Sequence, residues 1–358
     1  MFYFKKYSNL IIMKSSFFSK TPFFVGDISA NHCGSLNHAK KLIIQAKKNG
    51  IDAVKLQTYK PESLTLKSKK SFFKISKGLW KGQNLWELYE KAQTPYEWHK
   101  KLFSFSKKIG IKIFSTPFDE EAVDFLESLK CPAYKIASLE MHHKNLIRKV
   151  VNTGKPIIIS TGTFDLEEIT KTFEFVKRLK AADVTLLYCV SNYPSNLKDF
   201  KINNIKILKN RFGCRIGLSD HSLNNLVSSM AVAAGAEVIE KHIALHNQIK
   251  GPDIAFSLKG KEIKKLREDV DLAYSLLGKP YFFRSDVEKK NIINRRSIFV
   301  SEKIKKGEKF TKKNIKVIRP GHGLSPLYYN KILNKKCPKN FNEGTPLKKE
   351  ILKLLKIN

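Results

Sequence analysis

The sequence predicts a (β/α)8 TIM barrel followed by a small C-terminal domain, and three observations carry this prediction. Eight short runs rich in Val, Ile, Phe and Tyr recur along the chain, helical spacing lies between them, and polar residues gather where the runs end. The apolar runs are at 22–30, 53–59, 112–118, 133–138, 156–162, 184–190, 214–222 and 237–244. The helical stretches include 119–130, 165–180, 223–235 and 261–277.

Eight strand–helix units in succession favour a closed barrel over an open doubly wound sheet, which would expose two edges and usually has fewer strands. We therefore assign residues 22–280 to the barrel and residues 1–21 to an N-terminal extension with little structure. Residues 281–358 are assigned to a linker and a second domain, because 295–326 combine short strand-like runs with turn glycines.

The charge of the chain is strongly basic, with 67 Lys and Arg against 32 Asp and Glu and a formal net charge of +35. The lysines are scattered, without an arginine-rich or aromatic-rich tract. We therefore expect a solvated basic surface that attracts anions, and no nucleic-acid partner. A polyanion-binding protein on an inactive barrel is kept as the alternative from another functional class.

The five cysteines are odd in number and irregularly spaced, with no C-x-x-C pair. This pattern argues against a disulfide framework or a zinc cluster, and it favours a reducing cytoplasm. Because no apolar run approaches the roughly 20 residues that a membrane helix needs, no membrane partner is expected.

Every apolar run ends in polar side chains. In TIM barrels the C-terminal ends of the strands form one face, where active sites lie. Contributions from all eight runs are harder to explain by solvated loops alone. The candidates in chain order are Asp27, Lys55, Gln57, Thr116, Lys135, Ser138, Ser160, Ser191, Tyr193, Ser219, His221 and His242, while Asn31, His32, Thr161 and Glu240 lie at the same ends without an assigned role.

His221 and His242 end the last two runs and are expected side by side at the barrel mouth. Two neutral imidazoles with oxygen ligands in the remaining positions suit a divalent ion that acts as a Lewis acid. We expect Mn²⁺, with Mg²⁺ or Co²⁺ as alternatives. A structural zinc site would instead need four ligands, usually with cysteine.

Lys55 and Lys135 indicate an anionic substrate. An ammonium group acts as a point charge and hydroxyls act as short donors, a combination that suits phosphate and carboxylate, and Ser138, Ser160 and Ser219 supply hydroxyls. A Schiff base on either lysine stays an alternative, which would need a desolvated lysine of depressed pKa. The residues alone predict a metal-assisted reaction between a phosphorylated anion and a carbonyl compound.

Ten motifs follow one another between residues 22 and 340. They are DISANHCGS (27–35), VKLQTY (54–59), LWELYEKAQTPYEWH (85–99), FSTPFD (114–119), ISTG (159–162), YCVSNYPS (188–195), GLSDHS (217–222), EKHIAL (240–245), GPDIAFSL (251–258) and RPGHGL (319–324). In this order they resemble the sialic acid synthase family, and most closely its pseudaminic acid synthase branch.

The resemblance implies condensation of phosphoenolpyruvate (PEP) with the open-chain aldehyde of an N-acetylated hexose, which releases phosphate and forms a nine-carbon 2-keto acid. A metal on His221 and His242 would polarise the aldehyde. By the same resemblance, Lys55, Lys135, Ser138, Ser160 and Ser219 hold PEP, while Gln57, Thr116, Tyr193 and Asp253 line the pocket.

The C-terminal unit resembles the antifreeze-like (SAF) module. This resemblance implies a domain-swapped homodimer in which Arg319 completes the sugar site of the other subunit.

Two departures from the family bear on the reaction and the acceptor. The family usually has Glu where this chain has Asp27, whose side chain is shorter by about 1.5 Å, so a bridging water would restore its reach as a base. The sialic acid branch tends to have Asn in place of Ser191 and a Gly-Val-Asn-His run in place of SANH (29–32).

These differences favour 2,4-diacetamido-2,4,6-trideoxy-altropyranose as the acceptor over N-acetylmannosamine. Synthesis of N-acetylneuraminate or legionaminate is kept as the alternative. We expect Phe72, Phe73 and Trp80, between the second apolar run and the next, to receive the 6-methyl group.

Overall fold

The computed structural model describes residues 16–357, which divide into two compact units between Gly278 and Lys279. The division lies two residues before the boundary expected after residue 280. Most of the expected N-terminal extension, residues 1–15, lies outside the described residues.

The first unit is a closed barrel of eight parallel strands, as predicted. The strands pair in chain order, and β1 pairs with β8 to close the sheet. A short ninth strand adds to the end of β8 through Ile243. The strands are β1 Phe23–Asp27, β2 Ala53–Thr58, β3 Lys112–Pro117, β4 Tyr134–Ile136, β5 Ile157–Ser160, β6 Val184–Cys189, β7 Arg215–Asp220, β8 Val238–Ala244 and β9 Leu258–Lys259.

Each of the eight barrel strands lies within its predicted apolar run, because parallel strands covered on both faces are apolar almost throughout. β5 and β6 are buried at every position. β8 is also buried at every position, although it carries Glu240, Lys241 and His242. Because ionisable side chains are almost never fully buried unless they are paired, we expect β8 to carry buried ion pairs.

Helices cover the outside of the barrel, and the four expected stretches form α5, α7, α9 and α10. Local signals fix their ends: Asp165 and Glu168, for example, form a reciprocal capping box at the start of α7. The helices of this unit are α1 Leu36–Lys48, α2 Pro61–Leu64, α3 Leu85–Ala92, α4 Tyr96–Ile109, α5 Glu120–Ser128, α6 Lys144–Val151, α7 Leu166–Arg178, α8 Asn203–Phe212, α9 Asn225–Ala233 and α10 Lys261–Leu276.

Residues 16–21 close the N-terminal end of the barrel, which differs from the little-structured extension expected there. Phe17 is buried, and its ring centroid lies 5.5 Å from that of Phe23 and 5.3 Å from that of Phe114. The guanidinium of Arg215, at the start of β7, lies 4.0 Å from the ring centroid of Phe18. Aromatic side chains bury a large apolar area in such contacts, which favours an ordered segment here.

The second unit has its own small core and an antiparallel ladder. β10 (Ser297–Val300) pairs with β11 (Ile315–Ile318), and the register runs from Ser297 opposite Ile318 to Val300 opposite Ile315. Its helices are α11 Asp286–Lys290, α12 Tyr329–Ile332 and α13 Glu350–Leu354. Its core includes Ile298, Val300, Ile304, Phe310, Ile315, Leu324, Ile332 and Leu347.

Candidate active site

Four charged side chains form a buried layer at the C-terminal end of the barrel, which we call the charged floor: Asp27, Lys55, Lys135 and Glu240. The Lys55 ammonium lies 2.7 Å from Asp27 Oδ2 and 3.5 Å from Glu240 Oε2. The Lys135 ammonium lies 3.4 Å from Glu240 Oε1, and Ser219 Oγ donates to the same oxygen at 2.9 Å. Glu240 therefore joins the two lysines that the sequence placed on separate strands.

The pKa values of these groups differ because their partners differ. Burial alone would lower the pKa of Lys55, but the charges of Asp27 and Glu240 outweigh burial and raise it. Burial lowers the pKa of Lys135, which has Glu240 as its main counter charge. Burial alone would raise the pKa of Glu240, but Lys135 and Lys55 hold it well below its ordinary value. The lowered pKa of Lys135 is in the direction that a Schiff-base lysine needs, while its ion pair favours the charged form.

The two histidines lie side by side next to this floor, as predicted. Their ring centroids are 5.3 Å apart. His221 Nδ1 lies 3.3 Å from the carbonyl oxygen of Val190. His242 Nε2 lies 3.5 Å from Asp27 Oδ2, and its Nδ1 is buried 3.7 Å from Asp253 Oδ2 without a hydrogen-bond partner in the described structure.

The residue types around the imidazole pair fit a divalent ion. A carbonyl beside Nδ1 of His221 favours the tautomer whose Nε2 lone pair is free for a metal. Within residues 16–357, no group of three or more His, Cys, Asp or Glu side chains is arranged to hold a metal ion. An ion held by the two imidazoles would therefore need its other ligands from water or substrate.

A cavity of about 390 Å³ opens beside His242 and Asp253. Its polar side is lined by Ser29, Gln57, Ser138, Glu140, Tyr193, His242 and Asp253. Gln57 Nε2 donates to Ser29 Oγ at 3.0 Å, and Ser29 Oγ donates to Asp253 Oδ2 at 2.5 Å. Gln57, Tyr193 and Asp253 therefore face one space, as the resemblance implied, whereas Thr116 is not among the residues that line this cavity.

The other side of the cavity is an apolar wall formed by Ile75, Trp80, Leu85, Leu88 and Tyr89. Trp80 is fixed there because its indole Nε1 donates to the Pro252 carbonyl at 3.0 Å and its ring lies 5.7 Å from that of Tyr193.

The expectation for the other two aromatic residues of this segment was wrong. Phe72 is 87% exposed, and Phe73 is half-buried outside the cavity lining. Trp80 alone of the three expected aromatics lines the cavity, because only Trp80 is held by the loop that follows β8.

Close approach at Gly162 brings together three side chains behind the cavity. The Gly162 amide donates to Ser138 Oγ at 3.1 Å, and a Cβ at this position would lie 2.1 Å from Ser191 Oγ. Cys189 Sγ lies 3.7 Å from Ser191 Oγ and 3.9 Å from His221 Nδ1. Any larger residue than glycine would therefore displace the hydroxyl of Ser191.

Two further predicted hydroxyls are buried without partners. Thr116 Oγ1 and Ser160 Oγ make no hydrogen bond within the described structure. A buried hydroxyl without a partner is costly, so these two groups are available to a ligand. Arg319 lies in the second unit instead, where it follows β11 and is exposed.

Two carboxyl groups of the site were not predicted as functional residues. Glu240 could have been found, because side chains alternate along a strand and residue 240 faces the same side as His242. Glu140 lies in the short turn after β4, and its buried Oε2 has no hydrogen-bond partner among the described groups. Burial raises the pKa of Glu140 to about 7. No sequence pattern predicts that the Glu140 carboxyl is buried.

Comparison with known proteins shows which families the two parts of the chain match. Residues 42–281 match the NeuB family, and residues 295–353 match the SAF domain. A pseudaminic acid synthase from Campylobacter jejuni is 44% identical over 92% of this chain and 96% of its own length. A pseudaminic acid synthase from Helicobacter pylori is 42% identical over 91% and 96%.

More distant relatives share the architecture. An N,N'-diacetyllegionaminic acid synthase from Campylobacter jejuni is 34% identical over 90% of this chain and 98% of its own length. The crystal structure of an N-acetylneuraminic acid synthetase from Leptospira borgpetersenii, in complex with citrate, matches with a TM-score of 0.69 and 29% identity, covering 76% of this chain and 90% of that one. The family match spans more than half of the chain, so this protein belongs to the NeuB family.

Proposed function

We propose that this protein catalyses pseudaminic acid synthesis, in which PEP condenses with 2,4-diacetamido-2,4,6-trideoxy-altropyranose and phosphate is released. The observation that carries the proposal is the sequence identity of 42–44% to pseudaminic acid synthases over nearly the whole chain, against 34% to a legionaminic acid synthase. The site supports it, because a floor with two lysines, a pair of imidazoles and a half-apolar cavity adjoin.

PEP would lie on the charged floor. Lys55 and Lys135 supply two ammonium groups, and the hydroxyls of Thr116 and Ser160 are buried without partners in the described structure. Ammonium and hydroxyl donors are the groups that phosphate and carboxylate prefer. The family resemblance assigns Lys55, Lys135 and Ser160 to PEP, together with Ser138 and Ser219, but it assigns Thr116 to the pocket lining.

The charges of the floor balance one another, because Lys55 and Lys135 face Asp27 and Glu240. A further carboxylate, Asp253, lies 3.7 Å from His242 Nδ1. PEP would add further negative charge. A divalent ion held by His221 and His242, Mn²⁺ in the first place and Mg²⁺ or Co²⁺ otherwise, would offset that charge and act as a Lewis acid toward the aldehyde.

The reaction forms one carbon–carbon bond and breaks one carbon–oxygen bond. C3 of PEP bonds to the aldehyde carbon, and the aldehyde oxygen takes a proton to become a hydroxyl. Water then adds at C2, and cleavage of the bond from C2 to the phosphate oxygen leaves the 2-keto acid and phosphate. In this scheme Lys55 and Lys135 neutralise the phosphate. Asp27 holds Lys55 at 2.7 Å and lies beside His242, where it can exchange a proton through water.

The acceptor would occupy the outer part of the cavity. Gln57, Tyr193 and Asp253 offer polar groups to its acetamido and hydroxyl substituents, whereas the apolar wall offers a surface to its 6-methyl group. A methyl in place of a hydroxyl favours such a surface by about 1 to 3 kcal/mol.

We further propose a domain-swapped homodimer in which Arg319 serves the site of the second copy. Large apolar side chains around the junction between the units, including Leu276, Tyr281, Phe282 and Val287, are more than half exposed. A stretch of chain that carries several exposed large apolar side chains is one that an interface can cover. The exposed Arg319 offers a planar guanidinium suited to an amide or polyol ligand.

We also propose that the protein works in the cytoplasm, because its five cysteines are free thiols, which a reducing compartment maintains. No helix in residues 16–357 is long and apolar enough to cross a membrane. A polyanion-binding role is disfavoured by the intact imidazole pair and charged floor.

The test is phosphate release from PEP with Mn²⁺ and three acceptors: the 6-deoxy diacetamido sugar, a legionaminic acid precursor and N-acetylmannosamine. We expect the highest kcat/KM with the first sugar, and preference for N-acetylmannosamine would contradict the proposed acceptor. Exhaustive chelation, or His221→Ala or His242→Ala, should lower turnover by several orders of magnitude. Full activity after chelation would contradict the metal requirement but not the proposed substrates.

A further inference from the structure

A second ion pair lies directly behind the imidazole pair and takes no part in the chemistry proposed above. The Lys241 ammonium is 2.9 Å from Asp220 Oδ2, and both side chains are fully inaccessible to solvent. Asp220 is the last residue of β7, Lys241 is in β8, and the two are opposite each other in the register. Side chains alternate along strands, so this pair faces the helical layer while the neighbouring Ser219 and Glu240 face the floor.

The pair holds the backbone on both sides of His221. The Ser222 amide donates to Asp220 Oδ1 at 2.8 Å, and the Lys241 ammonium donates to the Ser222 carbonyl. Ser228 Oγ, from α9, donates to Asp220 Oδ2 at 2.8 Å. One residue before His221 and one residue after it are thus fixed to Lys241, which itself immediately precedes His242.

Stability is a weak reason for such a pair. Two charges removed from water cost several kcal/mol in desolvation, and well-packed apolar residues often serve a fold as well or better. The best-attested use of buried ionic groups is to fix a register. Here the register that is fixed sets the separation of two imidazoles on adjacent strands.

We infer that Asp220 and Lys241 are positioning residues that hold His221 and His242 at the spacing required to share a divalent ion. The inference rests on the proposed metal. It predicts that the affinity of the folded protein for Mn²⁺ depends on this pair, although neither side chain reaches the ion.

A matched control exists at the opposite end of the same strand. Asp183 and Arg215 form a buried ion pair at 3.0 Å, with side-chain exposures of 3% and 8%, where β7 begins. Asp183→Asn and Asp220→Asn each remove one carboxylate charge from a buried ion pair that includes a residue of β7. Both substitutions should lower the thermal unfolding temperature. The two variants therefore lose stability alike, and only Asp220→Asn should also disturb the positions of the two imidazoles.

The experiment is titration of the full-length protein with Mn²⁺, followed by calorimetry or by the electron paramagnetic resonance signal of free Mn²⁺, well below the unfolding temperature. We expect Asp220→Asn to weaken Mn²⁺ binding by about tenfold or more, as loss of supporting groups around metal ligands does. Asp183→Asn should bind Mn²⁺ like the wild type. If Asp220→Asn does not fold, Asp220→Asn combined with Lys241→Met leaves no buried unpaired charge, and it should fold while binding Mn²⁺ weakly.

Wild-type affinity in the Asp220→Asn protein or the double variant, or equal weakening in Asp183→Asn, overturns the inference and leaves the proposed reaction untouched. Absence of Mn²⁺ binding by the wild-type protein would overturn both the proposed metal site and this inference.

Discussion

Glu240 is the residue on which the charged floor depends, because it is the counter charge shared by Lys55 and Lys135. Removal of one member of a buried ionic group leaves an uncompensated charge. We expect Glu240→Gln to lower the free energy of unfolding by about 3 to 5 kcal/mol, measured by chemical denaturation. Added phosphate should restore part of that stability, since it supplies the missing negative charge.

Glu237, just before β8, provides the comparison for this prediction. It pairs with Lys209 at 3.2 Å near the surface, and surface pairs contribute about 0 to 1 kcal/mol. Glu237→Gln should therefore change stability little. Equal effects of the two substitutions would show that Glu240 is not the counter charge of the floor.

Glu140 makes stability depend on pH in a direction opposite to that of most carboxylates. Its pKa is raised by burial from 4.5 to about 7 in the folded protein. Between these values the unfolded chain releases the proton while the folded protein keeps it, so this residue lowers stability as pH rises from about 4.5 to about 7. Above pH 7 the whole penalty is present.

Glu140→Gln should remove this penalty. We expect the variant to unfold at a higher temperature than the wild type at pH 8, with the difference shrinking toward pH 5, in matched thermal scans. A constant difference across this range would contradict the raised pKa. The scans need no substrate, so the result is independent of any role of Glu140 in binding.

At the scale of the element, the segment between β2 and α4 sets one whole side of the cavity. Trp80 spans its apolar wall and is anchored to the loop after β8. We expect Trp80→Ala to lower kcat/KM for the acceptor by about 10- to 200-fold, mostly through KM, with little change in the KM for PEP. Steady-state phosphate release with each substrate varied in turn measures both.

Phe72 supplies the control for this element, because it belongs to the same segment but is 87% exposed. Phe72→Ala should leave both KM values unchanged. If Trp80→Ala instead raises the KM for PEP, the apolar wall contacts PEP and not the acceptor, and the prediction is wrong.

The same element shows where prediction from sequence stops. The barrel strands could be located because strands covered on both faces are continuously apolar, and their polar ends had to meet at one edge. Residues 65–84 have no such period, so which aromatic enters the cavity is decided by tertiary contacts, and Trp80 rather than Phe72 makes them. The buried environment of Glu140 and the packing of Phe17 under β1 and β3 are tertiary effects of the same kind.

At the scale of the whole molecule, the proposed exchange of Arg319 between subunits can be tested by complementation. Neither Arg319→Ala nor His242→Ala should be active alone. Mixed dimers should contain one site with both residues intact, because each subunit donates what the other lacks. We expect activity to return to as much as a quarter to a half of the wild-type level after subunit exchange. Demonstrated exchange without recovered activity would place Arg319 outside the shared site.

Phe17 and Phe18 close the N-terminal end of the barrel, which limits the route by which substrates enter and products leave. In the part of the chain that the structure describes, these two side chains cover the N-terminal ends of the strands. Substrates therefore enter at the C-terminal ends of the strands. The charged floor is buried, whereas Trp80 lines the open cavity, so a sugar seated against Trp80 would stand in the path of PEP. We therefore expect ordered binding, with PEP first, and release of phosphate after the nine-carbon product. Initial-rate kinetics should accordingly show substrate inhibition by the acceptor, because at high concentration the acceptor binds before PEP and blocks its entry.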